Sequence, residues 1–171
     1  MNTKILINNE KHNYFTDHAI IQRYWICTGK QQRQTVVGKI FSELTVETWI
    51  SKKPDTEGKF VIIDFWATWC GPCRKAIPEL NEIAKEFSKD VVVIGISDEP
   101  VEKIKAMKEP VIEYYYGVDT KKTMDKILEI KGIPHVIIID PKGIVRWEGF
   151  PLLENHKLTP EVVKNLIEKY K

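Results

Sequence analysis

The chain has 171 residues, of which 43% are hydrophobic and 29% charged, and its formal net charge at pH 7 is +2. This length suits one well-buried domain with additional segments and argues against two large domains. Acidic and basic residues are interspersed, which excludes a strongly basic surface for nucleic acid or membranes. No stretch has the apolar length of a membrane span, and no secretory signal is evident after Met1.

The first 35 residues show no single hydrophobic period, and we interpret residues 1–35 as an appendage to a domain formed by residues 36–171. Residues 29–34 are polar and are typical of a linker. The appendage contains Cys27, which we interpret as a small packing residue and not as a redox sensor or a lipid-attachment site. Residues 36–50 are compatible with short strands or an entry hairpin.

The centre of the chain predicts a strand, a turn with two cysteines, and a helix. Residues 60–63 are apolar on both alternating faces, which is typical of a buried central strand. The helix that follows Cys73 places Ala76, Ile77, Leu80, Ile83, Ala84 and Phe87 on one face. Pro78 predicts a kink in this helix. A second apolar strand at residues 91–96 completes a βαβ unit, so the two strands should be parallel.

The later elements are predicted from caps, breakers and apolar runs. Ser97 and Asp98 are candidate caps, and three successive tyrosines are interpreted as strand packing residues and not as a binding platform. The elements are a helix from Pro100 to about Met107, a strand at 114–118, a helix at 120–130 that ends near Gly132, antiparallel strands at 135–139 and 144–148, and a helix that opens at Thr159 and Pro160. The pattern predicts an α/β fold with a mixed sheet and helices on both faces.

The two cysteines of the central turn have the spacing of a disulfide-exchange site. The unpaired N–H groups and the positive dipole end at a helix start favour an anion, so Cys70 should ionise readily. Arg74 and Lys75 add positive charge in the same turn. Cys73 lies one turn further in and should be the less exposed, resolving thiol. A thiolate of this kind attacks a substrate disulfide, and its neighbour then releases the mixed disulfide.

A zinc site is the alternative interpretation of this pair, because a Cys-x-x-Cys pair also supplies two metal ligands. The chain has three cysteines and no second close pair. A four-ligand site would therefore need Cys27 and one of the four histidines, at unrelated spacings. We expect no metal and no cofactor apart from a redox-active disulfide between Cys70 and Cys73.

Residues 64–73 (Asp-Phe-Trp-Ala-Thr-Trp-Cys-Gly-Pro-Cys) resemble the active site of thioredoxins. Residues 132–134 (Gly-Ile-Pro) and 140–143 (Asp-Pro-Lys-Gly) strengthen the resemblance, which extends from about Val37 to the C-terminus. Residues 74–78 and the long middle segment resemble the TlpA/ResA-type thiol-disulfide oxidoreductases in particular. The resemblance implies a thioredoxin-like fold, in which a central mixed β-sheet is flanked by helices on both faces, and an enzyme that exchanges thiols and disulfides.

The resemblance also implies roles for individual residues. The aspartate that matches Asp64 assists deprotonation of the resolving cysteine, and burial in an apolar strand should raise the pKa of Asp64. A hydrogen-bonded structural carboxylate is the alternative. Thioredoxins place a lysine near this aspartate from the adjacent strand, but residues 91–96 contain none. The dipeptide between the cysteines, Gly71-Pro72, is that of reducing thioredoxins, which favours reduction of substrate disulfides.

In the family, the proline that matches Pro134 is cis and faces the disulfide, where it keeps metals from the thiols. The backbone of Ile133 would then pair with the extended chain of a substrate. A plain strand-initiating proline is the alternative. His135 departs from the threonine that often follows, and we interpret it as a partly exposed strand residue. Trp69 should form part of an apolar rim, whereas Trp66 is as compatible with the core.

We therefore assign catalysis to Cys70, Cys73 and Asp64, and substrate contact to Trp69, Gly71, Pro72, Ile133 and Pro134. The expected partners are a disulfide-containing protein and a reductase or membrane electron donor, with no nucleic acid, and the chain is expected to be a monomer. The resemblance implies the periplasm or cell envelope, and the cytoplasm stays open.

Two other functions remain as alternatives. Peroxiredoxins share the fold, but their Pro-x-x-x-Thr-x-x-Cys pattern would place a proline and a threonine where this chain has Ile63 and Ala67. A non-catalytic binding module is the other alternative, and the intact pair of cysteines argues against it.

Overall fold

The computed structural model describes residues 35–41 and 43–171, so our predictions for residues 1–34, including those for Cys27, lie outside the described residues. The predicted domain boundary near residue 35 stays a prediction. Residues Thr35–Lys171 form one compact unit.

Helices and strands alternate through most of the described chain. The strands are β1 (Thr48–Trp49), β2 (Phe60–Phe65), β3 (Val91–Ser97), β4 (Tyr115–Val118), β5 (His135–Ile139) and β6 (Val145–Gly149). The helices are α1 (Gly71–Glu86), α2 (Val101–Ala106), α3 (Thr123–Ile127) and α4 (Pro160–Tyr170), with a short 3-10 helix at Glu154–His156.

In the described part of the chain, six strands form one mixed sheet in the order β1-β4-β3-β2-β5-β6. Strands β2 and β3 are parallel, as the βαβ pattern predicts, and Asp64 lies opposite Gly95 in their register. Strand β5 runs antiparallel to β2 and pairs with β6 as the predicted hairpin. Because β2 and β5 are antiparallel, β5 begins where β2 ends, and Phe65 lies opposite His135.

Alternate side chains of the central strands pack on opposite sides of the sheet. On one side they pack with α1 in a cluster, here called the α1-side cluster, that includes Ile62, Trp66, Val93, Val136, Cys73, Ile77, Leu80 and Tyr114. On the other side they pack with α3 in a cluster, the α3-side cluster, that includes Ile63, Phe65, Ile94, Ile137, Met124 and Leu128. The prediction of helices on both faces is confirmed.

The α4 prediction is confirmed at its start, where the hydroxyl of Thr159 accepts from the backbone N–H of Val162 at 3.3 Å. Val163 is buried, and the other apolar side chains of the helix are half-buried, namely Val162, Leu166, Ile167 and Tyr170. Helix α1 continues through Pro78 to Glu86.

Three local predictions are wrong. Ser97 ends β3 and caps no helix, since Pro100 is the residue before α2 and no side chain caps it. Helix α3 spans five residues of the predicted eleven, because Lys122 and Glu129 have positive φ values of 55° and 53° and so leave the helical region on either side. Gly132 therefore does not end this helix.

The described residues of this segment, 36–41 and 43–50, form short strand contacts with later parts of the chain and not a hairpin of their own. Strand β1 pairs with β4 at the edge of the sheet, and Ile40 forms an isolated bridge with Ile144. The short-strand alternative was therefore the better of the two.

Candidate active site

Cys70 lies at the N-cap of α1, directly after the loop that leaves the end of β2. It forms a disulfide with Cys73, with a Cα–Cα distance of 5.2 Å. The Cys70 sulfur accepts from the backbone N–H of Cys73 at 3.2 Å, so it occupies the position of a capping oxygen. Pro72 has no N–H to satisfy in this first turn. The helix start therefore presents backbone N–H groups to Cys70, an arrangement that stabilises a thiolate when the disulfide is open.

The two cysteine residues differ in exposure in the predicted order, although the difference is small. Cys70 is 4% exposed and Cys73 is 1% exposed. Gly71 and Pro72, which lie between them, are exposed, and Trp69 is the large exposed apolar side chain beside them at 67%. A partner that reaches Cys70 therefore meets Trp69 and the Gly71-Pro72 turn. Trp66 is buried in the α1-side cluster and belongs to the core.

The start of α1 is positive, because its first turn contains Arg74 and no acidic residue and Lys75 follows directly. The guanidinium of Arg74 donates to the carbonyl of Glu109 at 2.7 Å. This bond ties α1 to the segment between α2 and β4.

Asp64 is buried beneath this turn, with 1% of the residue exposed. Its neighbours two residues away, Ile62 in the strand and Trp66 directly after it, belong to the α1-side cluster, so the carboxyl group points to the side that contains Cys73. Burial raises the pKa of Asp64 to about 7, against which a hydrogen bond from Tyr114 acts in the lowering direction. The predicted direction of the pKa shift is confirmed.

The sequence did not identify the partner of this carboxyl group. The hydroxyl of Tyr114 donates to Asp64 Oδ2 at 2.9 Å, and no described residue donates to Oδ1. Tyr114 lies fifty positions further along the chain. It precedes the tyrosine pair of β4, and nothing in the sequence distinguishes it from the other two.

Ile133 and Pro134 lie at the same end of the sheet as the cysteines, because β5 begins beside the end of β2. The Ile133–Pro134 peptide bond is cis, the geometry that the resemblance implies. Pro134 is buried and Ile133 is half-buried.

His135 is buried at 8% exposure, so the expectation of a partly exposed residue is wrong. The reason is that β5 is an inner strand whose residues are buried on both faces of the sheet. The ring packs edge-on against Phe150, with 5.9 Å between centroids, and its Nε2 lies 3.9 Å from a carboxylate oxygen of Glu148.

Glu99 is a second residue that the sequence did not single out. This buried carboxylate accepts from the backbone N–H of Thr68 and, at 2.9 Å, from its hydroxyl, and it pairs with Lys103 at 2.7 Å. Burial alone would raise the pKa of Glu99, but the hydrogen bonds from Lys103 and Thr68 outweigh it and lower that pKa. Glu99 therefore fixes the loop that leads into Cys70. Because the polar residues Ser97 and Asp98 directly precede it, the sequence gives no local signal that Glu99 is buried.

Residues 35–41 and 43–171 contain no cluster of three or more His, Cys, Asp or Glu side chains that could hold a metal ion. Within the same residues, no helix has the length and apolar character that crossing a membrane requires.

Comparisons with known proteins agree with this geometry. Residues 17–148 match the AhpC/TSA family. The thioredoxin-like protein YneN of Bacillus subtilis (strain 168) is 28% identical over 110 residues, which cover 62% of this chain and 65% of YneN. The thiol-disulfide oxidoreductase ResA of the same organism is 27% identical over 94 residues, which cover 53% of this chain and 52% of ResA. The chain thus spans less than two thirds of the length of either curated relative.

Among solved structures, the thioredoxin domain of the thiol-disulfide oxidoreductase BVU-2223 from Bacteroides vulgatus matches with a TM-score of 0.61 and 25% identity. The match covers 80% of this chain and 98% of that domain. The predicted thioredoxin-like fold and the predicted resemblance to ResA-type proteins are therefore confirmed.

Proposed function

We propose that this chain, which belongs to the AhpC/TSA family, is a thiol-disulfide oxidoreductase that reduces disulfides in protein substrates. The observation that carries the proposal is the Cys70–Cys73 disulfide at the first turn of α1, with the Cys70 sulfur in the capping position. The names of the relatives YneN and ResA support it.

In the proposed reaction, the Cys70 thiolate attacks one sulfur of the substrate disulfide. A bond forms between Cys70 and that sulfur, and the other substrate sulfur leaves as a thiolate. The Cys73 thiol then gives its proton to Asp64 while its sulfur attacks Cys70. The Cys70–Cys73 disulfide forms, and the second substrate sulfur leaves. Two electrons pass from the protein to the substrate, and an external dithiol or reductase must return them.

Substrate contact is proposed for the surface around the disulfide. Trp69 provides an exposed aromatic side chain, and the adjacent Gly71-Pro72 turn is exposed as well. The backbone of Ile133, at the start of β5, is available to an extended substrate chain. The surface offers no charged side chain in the turn itself, which suits binding through backbone and apolar contacts.

The experiment is insulin reduction by the full chain with a dithiol as electron source. Cys70→Ser should abolish reduction, and Cys73→Ser should accumulate a mixed disulfide in which mass spectrometry finds the substrate on Cys70. A Cys27→Ser variant controls for the third thiol and should retain full activity. Full insulin reduction by Cys70→Ser would contradict the proposal.

The same preparation separates the two alternative functions. A peroxidase would consume hydrogen peroxide at a rate that matches its disulfide exchange, and a binding module would reduce neither insulin nor peroxide. Ile63 and Ala67 stand at the positions of the peroxiredoxin proline and threonine, and this departure from the peroxiredoxin pattern favours disulfide exchange.

The remaining proposals concern the setting of the reaction. We place the protein in the periplasm or cell envelope as a monomer that receives electrons from a reductase or a membrane donor. Cell fractionation, together with light scattering of the purified chain, tests the first two points. A dimer, or recovery in the cytosolic fraction alone, would contradict them.

A further inference from the structure

The partner of Asp64 is the feature that the proposed function leaves unexplained. The two oxygens of the carboxyl group differ in their hydrogen bonding. Oδ2 accepts from the Tyr114 hydroxyl at 2.9 Å, whereas Oδ1 has no hydrogen-bond partner among the described residues. Burial, with the nearby Asp64 charge and hydrogen bond, raises the pKa of Tyr114 well above its ordinary value. The phenol therefore remains a donor throughout the pH range in which disulfide exchange takes place.

Gly95 is the residue that makes room for this contact. It lies opposite Asp64 in the register of β2 and β3. A Cβ atom at this position would lie 3.1 Å from Cε2 of the Tyr114 ring and 3.0 Å from Nε1 of Trp66. Both rings are buried, so the side chains packed around them resist a shift of either one. A side chain on residue 95 would require the Tyr114 ring to shift by a few tenths of an ångström, which would disturb its hydrogen bond to Asp64.

Asp64 has few other groups around it that could change its charge. From β3 it faces Gly95, and from β5 it faces Val136, which is apolar. On the α1 side of the sheet, helix α1 and its cap contribute two titratable groups, Cys73 and Cys70. The segment before β4 contributes a third, Tyr114. Within the described part of the chain, burial and the hydrogen bond from Tyr114 are what shift the pKa of Asp64, and no charged side chain contributes.

We propose that Tyr114 is the positioning residue of Asp64: its hydroxyl, admitted by Gly95, holds Oδ2 and leaves Oδ1 to receive the proton of Cys73. The inference rests on the proposed function. When the Cys73 thiol transfers its proton to Oδ1, its sulfur forms the bond to Cys70 and the substrate sulfur leaves with the electron pair of the broken bond. Tyr114 loses no proton in this step. It stabilises the carboxylate that must be present before the step begins.

The chain therefore uses a neutral donor where thioredoxins place a lysine. A neutral phenol lowers the pKa of a buried carboxyl group less than a nearby cation would, which agrees with a value for Asp64 that remains about 7. We expect resolution by Cys73 to accelerate as the pH rises through this range, since the ionised form of Asp64 is the base.

The test compares Tyr114→Phe with wild type by two-phase reaction of the reduced protein with DTNB, between pH 5 and pH 9. The first thionitrobenzoate is released by Cys70, and the second is released when Cys73 resolves the mixed disulfide. Phenylalanine keeps the ring and removes only the donor. The pH midpoint of the second phase should rise by about one to two pH units, as expected for the loss of a hydrogen bond to a charged group.

Tyr116→Phe is the matched control, because Tyr116 packs against the same cluster and its hydroxyl does not contact Asp64. It should leave the midpoint unchanged. Asp64→Asn should remove the midpoint, and adding Tyr114→Phe to it should have no further effect on the pH profile. Gly95→Ala provides a second route and should move the midpoint in the same direction as Tyr114→Phe.

The inference is overturned if Tyr114→Phe leaves the midpoint in place, if it slows the second phase equally at every pH, or if Tyr116→Phe gives the same shift. A different result would contradict the proposed function: wild-type protein that neither reacts with DTNB through Cys70 nor reduces insulin. If Tyr114→Phe does not fold, an unchanged midpoint in Gly95→Ala overturns the inference.

Discussion

Replacing Asp64 by Asn should stabilise the oxidised protein by an amount that grows with pH. Burial raises the pKa of Asp64 from 3.8 to about 7 in the folded protein. Between these values the folded state holds a proton that the unfolded chain has lost, so the free energy of unfolding falls as the pH rises and levels off above the raised pKa. A difference of roughly three pH units corresponds to about 4 kcal/mol at high pH.

Urea denaturation of oxidised wild type and Asp64→Asn, at pH 5 and at pH 9, measures the effect. Asparagine does not titrate, so its own effect on packing and hydrogen bonding changes the free energy of unfolding by the same amount at both pH values. The advantage of the variant should therefore increase by roughly 3 kcal/mol from pH 5 to pH 9, which is the part of the titration that lies between them. Working with the disulfide form prevents titration of Cys70 and Cys73. If the stability difference between the variant and wild type is the same at both pH values, the pKa of Asp64 is not raised in the folded protein.

Three further predictions concern side chains around the site and the hairpin. Trp69→Ala should change the free energy of unfolding by less than about 0.5 kcal/mol, because the side chain is exposed, but should raise the KM for insulin while DTNB reduction is unchanged. An equal loss with both substrates would contradict a docking role. Glu99→Gln should destabilise the protein by about 1–3 kcal/mol in urea at pH 7, because the buried clamp on Thr68 and Lys103 is lost, whereas Glu102→Gln on the exposed side of α2 should have little effect. Burial acts to raise the pKa of Asp140, but hydrogen bonds from Ile144, Arg146 and Lys142 outweigh it, so the pKa is lowered. Asp140 therefore contributes stability at pH values above 3.8 that is lost as the pH falls through the lowered pKa, and Asp140→Asn should flatten the acid side of a thermal-unfolding profile.

The elements that carry the cysteines could be predicted because their signals are local. An apolar run on both faces identifies β2, and the apolar stripe after Cys73 identifies α1. The burial of Asp64 followed from its place inside that run. The same reasoning gave the parallel pairing of β2 and β3, since a helix connects them.

The contacts that tune the site could not be predicted, because they join residues far apart in the chain. Tyr114 reaches Asp64 across fifty positions and Glu99 reaches Thr68 across thirty-one. Which side chains meet at such distances depends on strand register and loop geometry, and hydrophobic periodicity reports neither. Gly95 is an example, because only the positions of the Trp66 and Tyr114 rings show that a larger side chain would not fit there.

The length of the short helix α3 was predicted wrongly for a different reason. The segment around α3 has a helical pattern, but its length is set by the left-handed backbone at Lys122 and Glu129. The carboxylate of Asp119 accepts from the backbone N–H of Met124 at 2.7 Å and fixes the start of the helix from outside the predicted span. Neither feature belongs to the apolar pattern. His135 was misjudged because the burial of a strand residue depends on both neighbouring strands.

The central claim is that the helix start makes Cys70 the nucleophile. The direct measurement is the rate of alkylation by iodoacetamide as a function of pH, on reduced Cys73→Ala and Cys70→Ala proteins that also contain Cys27→Ser. Cys70 should reach its maximal rate at a lower pH than a cysteine in an unfolded peptide, and Cys73 should react more slowly. A Cys73 that reacts faster than Cys70, or a Cys70 that titrates like the peptide, would contradict the account.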